Sequence, residues 1–149
     1  MSTSTFKLLL VLMSMVLLAL ALWPKQEFQG GEFQGLILES RILPLTFEVA
    51  DNPEEQAMGL SGRKFMPPDH GMLFVFPTPT KPGFWMKDML FPLDIIWLDR
   101  NWEITQINED VSPETYPKIY QSATIIKYVL ELNAGVAKSL DLRVGGKVN

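Results

Sequence analysis

The chain has 149 residues, with 13 Lys+Arg, 17 Asp+Glu, one His and no Cys, giving a net charge of −4. The length suits one domain, or one domain plus a targeting segment, and zero Cys excludes a disulfide scaffold, thiolate metal sites and a thiol nucleophile. The acidic balance supplies no basic stripe for phosphates, so no nucleic-acid partner is expected.

Apolar residues fill 17 of the first 23 positions. Lys7 precedes a run from Leu8 to Trp23 that only Ser14 interrupts. As a helix this run reaches about 24 Å, short of a ~30 Å hydrocarbon core. Residues 1–23 therefore read as a secretory signal, with Ala19-Leu20-Ala21 as the cleavage site. They also read as an uncleaved N-terminal anchor, with Trp23 and Lys25 at the far interface. Both readings export the rest of the chain, either membrane-anchored on the extracytoplasmic side or secreted or periplasmic. The membrane is then a partner through this segment.

Residues 24–41 read as a linker. Within them Glu27-Phe28-Gln29-Gly30 repeats as Glu32-Phe33-Gln34-Gly35, a Gly- and Gln-rich spacer. Residues 42–149 form the single domain. Leu43 to Ala50 alternates as a half-buried strand. Asn52, Pro53 and Glu55 give a helix start with a capping box, and Gly59 its stop. Met72 to Phe76 is a continuous apolar run, a strand buried on both faces. Pro77 to Gly83 reads as a stiff loop unable to continue an internal strand. Phe84-Trp85-Met86 resumes extended structure. Leu93 to Leu98 is a strong strand, turned by Asp99-Arg100-Asn101 into Trp102 to Asn108. Glu109 to Ser122 is irregular. Thr124 to Leu132 is a long strand, and Asn133 caps a short helix from Ala134 to Leu140. The sum is a mainly β (α+β) domain: a compact antiparallel, partly closed barrel-like sheet with two short helices.

Asp94 lies inside the apolar run of Leu93 to Leu98. A carboxylate there must be paired, hydrogen-bonded or protonated. Arg63 is a candidate partner, and Glu131 and Asn133 end the last strand close by. On the structural reading Asp94 accepts backbone N–H groups from the Pro92 turn, and Arg63 closes the core edge. On the functional reading they are the polar groups of a ligand pocket. A third arrangement pairs Asp94 with Arg63 or Glu131 as acid–base machinery of an enzyme. Met72, Met86 and Met89, with His70, offer soft donors for Cu(I); the plainer reading is that these methionines and Trp85 fill a small core. Ser61 sits outside any nucleophile elbow, and a lone His makes no ordinary metal site.

Five blocks follow one another in order: Gly59-Leu60 with Arg63, Gly71 to Phe76, Phe84-Trp85-Met86-Lys87, Pro92 to Ile96, and Tyr128 to Gly135. This pattern resembles the domain of unknown function 192 family over residues 42–149. The resemblance implies a β-rich, barrel-like domain with short helices, commonly behind an N-terminal signal or anchor. It implies no reaction. Ser61, the Asp88-Met89 pair and the Gly145-Gly146 pair depart from the family pattern. Asp88 thereby changes the charge next to the expected pocket.

The residues together point to a module that binds a small ligand or an envelope protein, with no cofactor. Its expected pocket is built from Arg63, Met72, Phe74, Trp85, Met86 and Asp94, with Lys87 and Glu131 at the rim and the Pro77 to Gly83 loop beside it.

Overall fold

Leu93 to Leu98 carries no exposed position, because covering layers flank it on both sides. The computed structural model describes residues 32–38 and 41–148, so the leader and the first part of the linker lie outside the described residues. In chain order the elements are β1 (Glu32–Leu38), β2 (Arg41–Ala50), α1 (Pro53–Met58), β3 (His70–Thr80), β4 (Gly83–Phe84), β5 (Leu93–Leu98), β6 (Ile104–Val111), β7 (Tyr120–Gln121), β8 (Ile126–Asn133) and α2 (Val136–Ser139). One sheet has the order β1-β2-β3-β8-β5-β6, and β4 pairs with β7 apart from it. The protein is mainly β with two short helices, as the sequence predicts.

The sheet is antiparallel at every junction except β2–β3, which is parallel. A parallel pair needs a crossover, and α1 with the chain up to residue 69 supplies it. β1 and β6 are the two ends of the strand order, so the sheet is not a closed barrel, though a partly closed one describes it. No helix of the described residues is long and apolar enough to cross a membrane.

The central position of β5 explains its composition. Its odd positions and those of β8 face one apolar cluster, with Met72, Phe74, Ile95, Trp97 and Val129. Its even positions face a second cluster, with Leu73, Ile96, Leu98, Leu130 and Leu132, covered by Ala137 of α2 and by Leu142 and Val148. Period-2 alternation thus serves two cores at once.

Four expectations are corrected. The linker reading of residues 24–41 does not hold for residues 32–38, which form β1 along the edge of β2. The register slips between Gln34 and Leu36, where β2 contributes one extra residue around Pro44. A bulge tolerates a proline that has no N–H to give. The Pro77 to Gly83 loop is shorter than expected, since β3 runs on to Thr80; its register against β8 jumps between Val75 and Thr80, and the prolines occupy that bulged stretch. Trp85 and Met86 are not extended strand, because β4 ends at Phe84. Finally, Asn133 does not cap α2. Its Nδ2 donates to the carbonyls of Met66 and Pro67 at 3.1 and 3.0 Å, and Gly135 in the left-handed region takes the N-cap position.

The start of α1 follows the sequence closely. Asn52 Oδ1 accepts the Glu55 N–H at 3.0 Å, and Glu55 Oε2 accepts the Asp51 N–H at 3.3 Å. Gly59 closes the helix at φ 50°. Gln56 Nε2 reaches across to the Val75 carbonyl at 3.0 Å, which ties α1 to β3.

Candidate functional site, an acid-lined aromatic cavity

Register alone lines up one row of side chains across the sheet. Glu48 of β2 pairs with Met72 of β3, Met72 with Glu131 of β8, and Glu131 with Ile95 of β5. Paired residues share a face, so Glu48 and Glu131 stand on the same side, separated by Met72. Arg63, in the chain that follows α1, reaches this row. Its Nη1 and Nη2 donate to the two carboxylate oxygens of Glu48 at 2.5 and 2.7 Å, a fork-on-fork ion pair.

Beside that row lies a cavity of about 320 Å³. Its walls are the 56–61 segment, Phe74 and Phe76 of β3, the 82–85 segment and Met89, with Glu131 as its one acidic group. Phe84 meets Phe74 edge to face, centroids 4.8 Å apart, and meets Trp97 likewise at 5.3 Å. These contacts fix the ring of Phe84. Trp85, also in the cavity wall, is 51% exposed. Ser61 Oγ donates to the Lys87 carbonyl at 3.0 Å, and the Gly62 N–H donates to the Asp88 carbonyl at 2.8 Å, so two cavity walls are stitched together.

Glu131 is the unusual member. It is 6% exposed, and its carboxyl takes part in no hydrogen bond among the described residues. Burial pushes it from 4.5 up to about 8, against the opposing pull of the Arg63 guanidinium. At neutral pH it is therefore largely a neutral acid with one proton to donate.

The structure sends the expected site residues to different places. Phe74, Trp85 and Glu131 border the cavity, although Glu131 lies deep and not at the rim. Arg63 is adjacent and engaged with Glu48. Met72 and Met86 are buried in the surrounding apolar cluster without bordering the cavity, whereas Met89 borders it. Lys87 is exposed and contributes its carbonyl. His70 pairs with its neighbour Asp69 at 2.8 Å.

Asp94 belongs elsewhere. It is fully buried on the opposite face of the sheet, since its partner in β8 is Leu132 while Glu131 pairs with Ile95. Its Oδ1 accepts the Asp110 N–H and its Oδ2 the Ala137 N–H, both at 2.9 Å. Asp94 thus caps α2 from a neighbouring strand. The structural reading of Asp94 holds, with Asp110 and Ala137 as donors in place of the Pro92 turn. The sheet itself separates Asp94 from Glu131 and from the Arg63 pair, so neither acid–base pairing forms.

Sequence reasoning missed Glu48, Gln56 and Phe84. Alternation in β2 showed Glu48 only as a polar position, and the approach of Arg63 has no local signal. Phe84 belongs to one of the five ordered blocks, and its place between Phe74 and Trp97 depends on the fold.

Fold and cavity define a small mixed-sheet β domain with an acid-lined aromatic pocket. The chain belongs to the DUF192 family, described as an uncharacterized ACR, whose model matches residues 36–149. A UPF0127 protein of Pyrococcus abyssi is 33% identical over 106 residues, covering 68% of this chain and 82% of that protein. Two crystal structures share the fold. A "putative transcription regulator" of Sinorhizobium meliloti superposes with a TM-score of 0.76 at 34% identity, over 83% of this chain and 96% of that one. A protein of unknown function from Novosphingobium aromaticivorans gives 0.71 at 29% identity, over 77% and 83%.

Proposed function

We propose that the domain is a binding module for a small ligand, seated in the cavity that Glu131 lines. The observation that carries this reading is the Glu131 carboxyl, only 6% exposed, set in the wall of an aromatic cavity. Burial there raises the cost of ionising the carboxyl. A ligand that hydrogen-bonds this carboxyl inside the cavity offsets that cost, which gives the site both affinity and orientation. A volume of about 320 Å³ suits a small molecule. The apolar run of Leu8 to Trp23 supports export, with the domain meeting its ligand outside the cytoplasm. The net charge of −4 supports a small molecule over a nucleic acid, the partner that the description of the Sinorhizobium meliloti relative suggests.

A thermal-shift screen of the full chain against small molecules tests this. A ligand at 100 times its Kd stabilises a protein by about 2.7 kcal/mol. Hits are expected to disappear in Glu131→Gln and to weaken in Trp85→Ala. Hits indifferent to both substitutions, or a flat screen, contradict the reading.

A further inference from the structure

We propose that an exposed apolar strip, formed by Met58, Phe65, Trp85 and Leu90, rests on a bilayer of anionic lipids, with Lys64 and Lys87 among the headgroups. The inference goes beyond the ligand reading and assigns a second partner; neither reading needs the other.

The strip is carried by residues 57–65 and 85–90. Ser61 Oγ donates to the Lys87 carbonyl at 3.0 Å and the Gly62 N–H to the Asp88 carbonyl at 2.8 Å, so the two segments run side by side. Met58 and Trp85 also border the same cavity. Leu60, Met86 and Met89 turn inward from these segments and are buried in the core. Met58, Phe65, Trp85 and Leu90 do not, at 69, 73, 51 and 61% exposed. Half of the large apolar side chains exposed among the described residues therefore fall in two short neighbouring segments. Gathered apolar exposure of this kind marks an interaction surface.

Charge selects the partner. The chain as a whole carries −4, yet these segments hold Arg63, Lys64 and Lys87 against the single acid Asp88. Arg63 is engaged with Glu48, whereas Lys64 and Lys87 are exposed. Apolar and aromatic side chains interleaved with lysines suit the boundary between acyl chains and anionic headgroups, where lysine stems lie along apolar surface and their charges stay in water. A second copy meeting this face about a two-fold axis would set the same lysines against one another.

The chain outside the described residues puts a bilayer within reach. The apolar run ends at Trp23 and β1 starts at Glu32, so eight residues join them. Fully extended, that connection spans about 30 Å. Glu32 pairs with Glu48, which places the junction at the end of the row that runs through Met72 to Glu131. Three strand spacings put the junction about 14 Å from Glu131, in the wall of the cavity that Met58 and Trp85 border. A membrane that holds the Leu8 to Trp23 run can therefore also meet the strip.

Site-specific fluorescence tests this, because a chain without Cys accepts one label at a chosen position. Met58→Cys, Phe65→Cys, Leu90→Cys and Val144→Cys each carry a nitrobenzoxadiazole label. Val144, 65% exposed between Leu142 and Val148 of the opposite cluster, is the reference. The full chain with its leader retained is reconstituted in vesicles of phosphatidylcholine and phosphatidylglycerol that contain a nitroxide-labelled lipid. Labels at Met58, Phe65 and Leu90 are expected to be quenched at least twice as strongly as the label at Val144. Quenching no stronger than at Val144 overturns the proposal. Lys64→Glu combined with Lys87→Glu, or omission of phosphatidylglycerol, is expected to halve the difference; indifference to both overturns the assignment to anionic lipid. Shielding of the three labels that rises with the number of chains per vesicle, and not with the nitroxide lipid, gives the strip to a second copy and likewise overturns it.

Discussion

A carboxyl group surrounded by hydrocarbon opposes folding whenever it must ionise, and Glu131 is that group. Its carboxyl is raised from 4.5 to about 8 in the folded protein by burial, with Arg63 pulling the other way. Between those values the folded state keeps a proton that the unfolded chain has lost. Stability contributed by this proton is complete below pH 4.5, declines as pH rises, and is gone above about pH 8. Glu131→Gln removes the proton from the balance. Urea denaturation is expected to show the variant gaining on the wild type from pH 5 to pH 8, by a few kcal/mol at the upper end, since each tenfold change in proton affinity is worth about 1.4 kcal/mol. Parallel stability curves for the two proteins would contradict this. Asp94 is held differently, each of its oxygens accepting one backbone N–H. Asp94→Ala leaves the Asp110 and Ala137 N–H groups unsatisfied and is expected to cost about 3–5 kcal/mol by the same measurement, without a specific effect on ligand binding. Both acids were visible in the sequence as carboxylates within apolar strands. That they face opposite sides of the sheet was not, since facing follows from which residues pair across β5 and β8.

At the scale of elements, a short helix carries one wall of the cavity. No residue of α1 is buried, so its place depends on its cap and on the Gln56 tie more than on packing. Asn52→Ala removes the Oδ1 acceptor and is expected to cost about 1 kcal/mol. A rise in proteolytic nicking of the 53–62 region would accompany it. Gly71, at the start of β3, illustrates the reverse, a position held by close approach. A Cβ there meets the Leu132 side chain at 2.7 Å, the Glu131 carbonyl at 2.8 Å and Phe47 at 2.9 Å. Because these contacts are core side chains and backbone, Gly71→Ala is expected to destabilise by about 2 kcal/mol or more, read as a lowered Tm. The long strands and the α1 cap were legible because each has a local signature: alternation, a continuous apolar run, or an Asn-Pro-Glu start. β1 was hidden because its first half, Glu32 to Gly35, repeats the spacer sequence before it, and its pairing comes from β2. The two-residue strands β4 and β7 pair through contacts remote in sequence. Asn133 looked like a cap, yet the carbonyls of Met66 and Pro67 compete for it and win.

The whole molecule is one sheet between two apolar clusters, and the two share the backbone of β3, β5 and β8. Neither cluster can melt while the other keeps its strands in register. Far-UV circular dichroism and the tryptophan fluorescence of a Trp23→Phe, Trp85→Phe variant, which leaves Trp97 on one face and Trp102 on the other, are expected to give coincident urea midpoints. Separated midpoints would mean that the clusters unfold independently. Fold class was legible at this scale from the density of apolar runs and turns, whereas the parallel β2–β3 pairing was not, because nothing in either strand specifies its neighbour. The same is true of the cavity, which gathers residues from α1, β3, β4, β8 and the chain before β5. The central claim is that this cavity holds a buried, protonated acid awaiting a partner. Carboxyl-carbon NMR titration of the full chain tests it most directly, with the Glu131 resonance assigned by its absence in Glu131→Gln. The expected midpoint is about 8. A midpoint near the ordinary 4.5 would place Glu131 in water and contradict the account.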